Sequence, residues 1–390
     1  MNHDPLAWID DELTSLKTRQ LRRQLTTRSG AQRAQQVHID DQPLVNFSSN
    51  DYLGYAAELA TFHQQAWFED GWGSGASPAI SGRSELHEQL EAQLARFERT
   101  EAALLFSSGY AANTGCIPAL VGPTDAVFSD EKNHASIIDG CRLSGAEIAV
   151  YRHLDLDQLA ELLEQHSTAR RRLIVTDSLF SMDGDLAPLV QLSQLAQQSG
   201  AMLMVDEAHA TGVLGPGGRG LAEELGVADQ VDVRVGTLSK ALGSAGGFVA
   251  GSAQLIQWLS NRARSYVFST APPPPLAAAA LQALRWVDEQ PERRQQLLAQ
   301  AAQLRQQLGQ QGWQVCDHAS QLIAIRVGDP GLALQLSSQL RQQGLLVPAI
   351  RPPTVPEGQS LLRISISYNH QAAECDQLLA ALASCRSLVQ

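Results

Sequence analysis

Lysine is almost missing from this 390-residue chain: Lys17, Lys132 and Lys240 stand against 26 arginines. A guanidinium stays protonated and forms no Schiff base, whereas a desolvated amine can lose its proton and condense with a carbonyl. A lysine kept where arginine serves nearly everywhere else is therefore a candidate for chemistry. Cysteine is scarce too. Cys116, Cys141, Cys316, Cys375 and Cys385 are odd in number and form no CxxC or Cys/His spacing. That excludes a disulfide framework or a zinc site and reads as reduced thiols of a cytoplasmic protein. No apolar run is long enough to cross a bilayer, and MNHDPLAWIDDEL is acidic where a signal peptide would be apolar. Positive charge is in deficit, with a formal net charge of −12, which argues against non-specific binding to nucleic acid or membrane. One basic cluster remains: Arg19, Arg22, Arg23, Arg28 and Arg33. It reads equally as a solvated face or a working patch.

What is present is an apolar content of 44% with only 5% aromatics, enough for a sizeable core in two or three domains. Leu6, Ile9, Leu13, Leu16 and Leu21 predict a helix over 6–25, and a short sheet pattern precedes SSNDYLG at 48–54. Seven short apolar runs follow: ALLF, DAVFSD, EIAVY, RLIVTD, MLMVDE, VRVGT and GFVAG, between 103 and 251. Separated by amphipathic stretches, they predict an α/β fold with a mostly parallel sheet covered on both faces. Several end in Asp, Ser, Thr or Gly, at the carboxyl edge where open α/β sheets bind ligands. APPPP at 271–275 reads as a rigid connector, and Leu297, Ala301, Leu304 and Leu308 mark one face of a long helix. LIAIRV and LLRISIS then suggest a small α+β domain. The expected division is an N-terminal extension over 1–50, a large domain over 51–275 and a small one over 276–390.

MLMVDEAHATG sets Asp206 at a strand end with His209 three residues on. VDEAH also occurs as the acidic box of ATP-driven helicases, but those need a phosphate loop ending in Gly-Lys. Leu16, Glu131 and Ser239 precede the three lysines here, so that reading fails. A metal site on Asp206, Glu207 and His209 lacks a convincing third ligand. Pyridoxal 5'-phosphate uses every part. Asp206 would pair with the protonated ring nitrogen, His209 with the phenolic oxygen, and Lys240 with the aldehyde. FSSGYAANTG at 106–115 supplies a strand, a Ser108-Gly109-Tyr110 turn and a helix N-terminus for the phosphate, and Thr237 can add a hydroxyl.

These residues resemble the α-oxoamine synthases, which condense an amino acid with an acyl thioester and lose carbon dioxide. The resemblance runs through SSNDYLG, GSGASPAISG (73–82), LHEQLE (86–91), SSGYAAN (107–113), NHASIIDG (133–140), SLFSMDGD (178–185), VDEAHATG (205–212), TLSKALGSAGG (237–247) and FSTAPPP (268–274). It implies a fold-type I enzyme dependent on pyridoxal phosphate, with a large domain and a small α+β C-terminal domain. It implies Lys240 as the Schiff-base lysine and general base, and His134 as the residue stacked on the cofactor ring near the substrate. Gly109, Tyr110, Ser181, Asp206, His209 and Thr237 are the implied cofactor contacts, with Thr270 donated from the partner subunit of a homodimer. Arg363 would grip the amino acid's carboxylate, and Arg22 and Thr354 the acyl substrate. Asp177 stands where some members have Glu. IRPPTVPEG at 350–358, followed by LLRIS, is most similar to the branch that joins L-alanine to a pimeloyl thioester. Coenzyme A and an acyl carrier protein stay open as the donor. Glycine- or serine-using relatives, and an aminotransferase on the same fold, remain alternatives.

Overall fold

The computed structural model describes residues 4–23, 25–61, 71–316 and 318–388. Three short strands come first: β1 (Arg28–Ser29), β2 (Gln36–Ile39) and β3 (Gln42–Asn46). The seven apolar runs become β4 (Ala102–Phe106), β5 (Ala126–Asp130), β6 (Glu147–Tyr151) and β7 (Arg172–Asp177), then β8 (Met202–Asp206), β9 (Val233–Thr237) and β10 (Gly247–Gly251). After them lie β11 (Leu322–Gly328), β12 (Leu345–Leu346), β13 (Ala349–Ile350) and β14 (Ser360–Ser365).

β4 to β10 form one sheet in the order β4-β10-β9-β8-β7-β5-β6. All its pairings are parallel except those of β10, which runs antiparallel to both neighbours. β5, β9 and β10 are buried at every position, as expected of strands covered by helices on both faces. The edge strand β6 instead alternates, leaving Ile148 and Val150 exposed. The chain leaves β5 towards β6 on one side and returns to place β7 on the other. The carboxyl ends of β5 and β7 therefore flank a topological switch point, the place where open α/β sheets bind ligands.

The C-terminal region carries the sheet β11-β14-β13, with β14 buried throughout. β12 adds in parallel to β3, with Leu345 opposite Val45, so the N-terminal strands are continuous with the C-terminal part of the chain. Two details depart from the sequence reading. The first helix spans Trp8–Thr18 and stops short of Leu21, because Gln20 adopts a left-handed φ of 58°. The APPPP stretch is only partly a connector, since Pro274 opens the Pro274–Glu289 helix, where the missing N–H of proline costs nothing. The predicted glutamine-rich helix is Pro291–Gln310, and it buries Leu297, Ala301, Leu304 and Leu308.

Candidate active site

The site assembles at the carboxyl edge of the large sheet. Asp206 ends β8, and its register partner on β7 is Asp177. Thr237 ends β9 opposite Gly247, which is also paired with Phe106 at the end of β4. Lys240 follows three residues after β9. One edge thus gathers Asp206, Asp177, Thr237, Lys240 and the Ser108-Gly109 turn.

That turn has the geometry of an anion cradle. The Gly109–Leu120 helix starts there, with the Ser108 hydroxyl accepting from Ala111 N–H at 3.0 Å. N–H groups of a first helical turn have no intrahelical acceptor, so those of Gly109 and Tyr110 are available to an anion. Gly247 lets the turn come close: a Cβ there would lie 2.4 Å from Gly109 N. Thr237 stands beside it, its Cβ 3.6 Å from where a Gly109 side chain would begin. The Thr237 hydroxyl lies 2.8 Å from Ser239 Oγ and 3.0 Å from the Gly246 carbonyl.

Asp206 is buried and held by two donors. Asn113 Nδ2 donates to its Oδ2 at 2.6 Å, and Ala208 N–H to its Oδ1 at 2.9 Å. Asn113 sits one turn into the phosphate helix, so its side chain reaches back to the strand end. The reading of SSGYAAN gave it no role, although its spacing from Gly109 by four residues carried the signal. Asp177 Oδ2 accepts His134 N–H at 2.7 Å, so the shorter Asp still fixes the backbone of that histidine. Burial, with Asp206 nearby, holds the Asp177 carboxyl well above the usual range. Lys240 is half-buried. Loss of solvent pushes its amine down from 10.5 to about 8, opposed by Asp206 and Asp177 and reinforced by Arg363.

His209 is buried, and its Nδ1 lies 2.6 Å from the Tyr52 hydroxyl. Burial, with Lys240 and Arg363 adding to it, drives the ring far below its usual pKa, so it is neutral. Burial likewise keeps Tyr52 a phenol, and its hydroxyl also reaches Asn50 Oδ1 at 3.2 Å. Gln321 Nε2 fixes the His209 carbonyl at 2.7 Å. Neither Tyr52 nor Gln321 was singled out by the sequence; SSNDYLG marked the first only as part of a loop. His134 caps the Ala135–Ser144 helix, its Nδ1 2.7 Å from Ser136 Oγ, and meets the Tyr110 ring edge-on at 6.4 Å. The Tyr110 hydroxyl donates to Asp139 Oδ2.

Arg363, on β14, is buried with Nε donating to the Ser181 carbonyl at 2.6 Å and Nη2 to Asn50 Oδ1 at 3.1 Å. The Ser181 loop thus touches the site through its backbone. Further out, Arg23 Nη2 donates to Thr354 Oγ1 at 2.7 Å, and Arg351 Nη1 donates to the Gln20 carbonyl. Arg22, expected with Thr354 at the acyl substrate, has an exposed side chain, and its neighbour Arg23 is the arginine bonded to Thr354. Thr270 is exposed.

These groups fit pyridoxal phosphate. The edge offers free helix N-terminal donors, a carboxylate for a ring nitrogen, a neutral imidazole N–H and a depressed amine with no hydrogen-bond acceptor among the described residues. The pattern of the class I and II aminotransferases matches residues 42–382. The chain is 51% identical to an 8-amino-7-oxononanoate synthase of Anaeromyxobacter dehalogenans, over 98% of this chain and 96% of that one. Its fold is similar to serine palmitoyltransferase from S. paucimobilis solved with bound PLP, at 30% identity and a TM-score of 0.93 over 99% of both chains. It is also similar to the 8-amino-7-oxononanoate synthase of Francisella tularensis, at 27% identity and a TM-score of 0.76 over 88% of this chain and 98% of that one. With its site and its sequence in agreement, the chain belongs to the pyridoxal-phosphate-dependent class I and II aminotransferase family, in the α-oxoamine synthase branch that includes the 8-amino-7-oxononanoate synthases.

Proposed function

We propose that the chain condenses L-alanine with a pimeloyl thioester, releasing carbon dioxide and the free thiol and giving 8-amino-7-oxononanoate for biotin biosynthesis. The observation that carries the chemistry is a lysine amine lowered to about 8 beside the Asp206 carboxylate, in a chain nearly without lysine. Bound pyridoxal phosphate supplies an aldehyde that condenses with amines and a protonated ring that takes up electrons released at the substrate's α-carbon. Gly109, Tyr110 and Thr237 would hold its phosphate, Asp206 its ring nitrogen and His209 Nε2–H its phenolic oxygen. Ser181 and His134 would complete the contacts.

Lys240 moves the proton. Its Nζ, with a pKa drawn towards neutrality, accepts the α-proton of alanine and later returns one to the product. Arg363 orients the amino acid by a bidentate grip on its carboxylate. His209 stays neutral, so it donates one hydrogen bond without adding a second positive charge. The distal carboxylate of the acyl chain meets the outer cations, Arg22 or Arg23 with Thr354. The exposed arginines from Arg19 to Arg33, on a chain of net charge −12, suit an acidic acyl carrier protein as donor.

The active unit we propose is a homodimer in which Thr270 reaches the partner's phosphate site. Its own surroundings support this. Leu143 and Phe268, 66% and 72% exposed, line a surface cavity of about 640 Å³ within two residues of Thr270. Mixing inactive Lys240→Ala chains with inactive Thr270→Val chains should restore some activity through hybrid sites; full activity in a monomer would rule the dimer out. Five free thiols suit a reducing compartment such as the cytoplasm.

A serine-using reading draws on the TM-score of 0.93 to serine palmitoyltransferase. One experiment separates the two: the holoenzyme is offered alanine, glycine or serine with a panel of thioesters, and products are identified by mass. The expected product is the alanine–pimeloyl ketone; preference for serine with a long acyl chain would overturn the assignment.

A further inference from the structure

One of the three lysines, Lys132, has no task in this chemistry. It lies in the turn between β5 and His134, and its Nζ is 2.8 Å from Asp183 Oδ2. Close by, His153, in the turn after β6, is held on both ring nitrogens. Nδ1 lies 2.9 Å from Asp130 Oδ1 and Nε2 2.7 Å from Asp185 Oδ2. A ring with carboxylates on both nitrogens donates from both and is an imidazolium. Burial opposes that charge, but the two aspartates outweigh it and lift the pKa to about 9. The Phe180 ring closes over it edge-on at 4.5 Å.

The two cations join the same two segments. Asp130 ends β5 and opens the turn to His134, its Oδ1 also accepting Lys132 N–H at 2.8 Å and its Oδ2 Leu154 N–H at 2.9 Å. Asp183 and Asp185 belong to the loop after β7, which Phe180 N–H tightens by donating to the Asp185 carbonyl at 3.0 Å. That loop also carries Ser181, whose carbonyl accepts from Arg363 Nε. Without the imidazolium, the side chains of Asp130 and Asp185, 1% and 10% exposed, would confront each other as poorly solvated like charges. Asp185 Oδ1 has no hydrogen-bond partner among the described residues.

We infer that His153 and Lys132 are positioning residues, paired cationic bridges that fasten the Ser181 loop to the His134 turn and so hold Arg363 in the orientation that receives the amino acid's carboxylate. This rests on the carboxylate-binding role given to Arg363 above. The bridges reach the site through Ser181 and Arg363, so their loss should act first on the amino acid.

The test compares His153→Gln, Lys132→Met and Lys132→Arg. In the holoenzymes, the first two should raise the KM for alanine by roughly tenfold while the acyl thioester KM stays within about twofold. Cofactor absorbance should persist, and Lys132→Arg should restore the alanine KM. In the apoproteins, amide hydrogen exchange should quicken over 130–134 and 178–185 but not in β11 or β14. A lowered Tm with an unchanged alanine KM, an equal rise in both KM values, or unchanged exchange in the two segments would each overturn the inference. If His153→Gln does not fold, the Lys132 pair decides by the same readouts. The unmutated enzyme is assayed alongside: if it turns over serine or glycine instead, the proposed reaction falls, and the bridge is judged on that amino acid's KM and on the exchange.

Discussion

The inner and outer ends of this site obey different rules. Around Lys240 the ionisable groups are buried or half-buried, every one of them is fixed by named partners or shifted by its neighbours, and charge is conditional. His209 is neutral, Asp177 is pushed towards its acid form, and the Lys240 amine is drawn to about 8. At the outer end Arg22, Arg23 and Thr354 stand in solvent. Proton transfer needs groups that exchange protons near neutral pH, which burial provides. Recognition of a distant carboxylate needs a permanent charge, which arginine keeps without burial. The scarcity of lysine accords with the same division: Lys17 and Lys132 aside, the chain uses arginine where only charge is wanted.

Substitutions should rank accordingly. Lys240→Ala removes the depressed amine of the site and should lower turnover by roughly a thousandfold or more, read in a product assay. Asp206→Asn leaves the Ala208 contact but removes the charge proposed to pair with the ring nitrogen. It should cost roughly a hundredfold in kcat while Tm changes little, because the site is not part of the apolar core. Arg363→Ala should lower kcat/KM for alanine by about ten- to a hundredfold, equivalent to losing a charge-assisted contact of about 1.5–3 kcal/mol. Outer-end changes should be weakest. Arg22→Ala and Arg23→Ala, measured side by side, should reduce use of pimeloyl thioester by about three- to tenfold, since exposed charge pairs contribute little. Alanine α-proton exchange should be spared in both. The larger loss should fall on Arg23, which holds Thr354.

The same contrast has a pH signature. Only the free amine of Lys240 condenses with an aldehyde, and in the apoprotein it is freed as pH rises through about 8. Reconstitution with pyridoxal phosphate should therefore accelerate by about tenfold per unit up to that pH and level above it, whereas an ordinary lysine would level only near about 10.4. His153 works in the opposite sense. Its folded pKa is raised from 6.5 to about 9, so the stability it contributes is complete below 6.5 and is lost as pH climbs through 9. Thermal melts of wild type and His153→Gln should converge over that window.

Much of the inner end was legible in the sequence, because each residue sits at the end of an apolar run whose burial fixes its register. MLMVD could be only a covered strand, and that puts Asp206 at the carboxyl edge. The partners that tune it were harder to read. Asn113 and Tyr52 act through contacts 93 and 157 residues apart in sequence, with Asp206 and His209 respectively. The His153 bridge joins three loops that no local spacing relates. The outer end was least legible. After the Trp8–Thr18 helix the chain turns at Gln20, and it is Arg23 that bonds Thr354, 331 residues away in sequence, a pairing no local pattern marks.

The central claim is that Lys240 carries the cofactor. Borohydride reduction of the holoenzyme, followed by proteolysis and mass mapping, tests it directly. The account predicts a single pyridoxyl label within TLSKALGSAGG, on Lys240; a label on Lys132 or Lys17, with Lys240 unmodified, would contradict it.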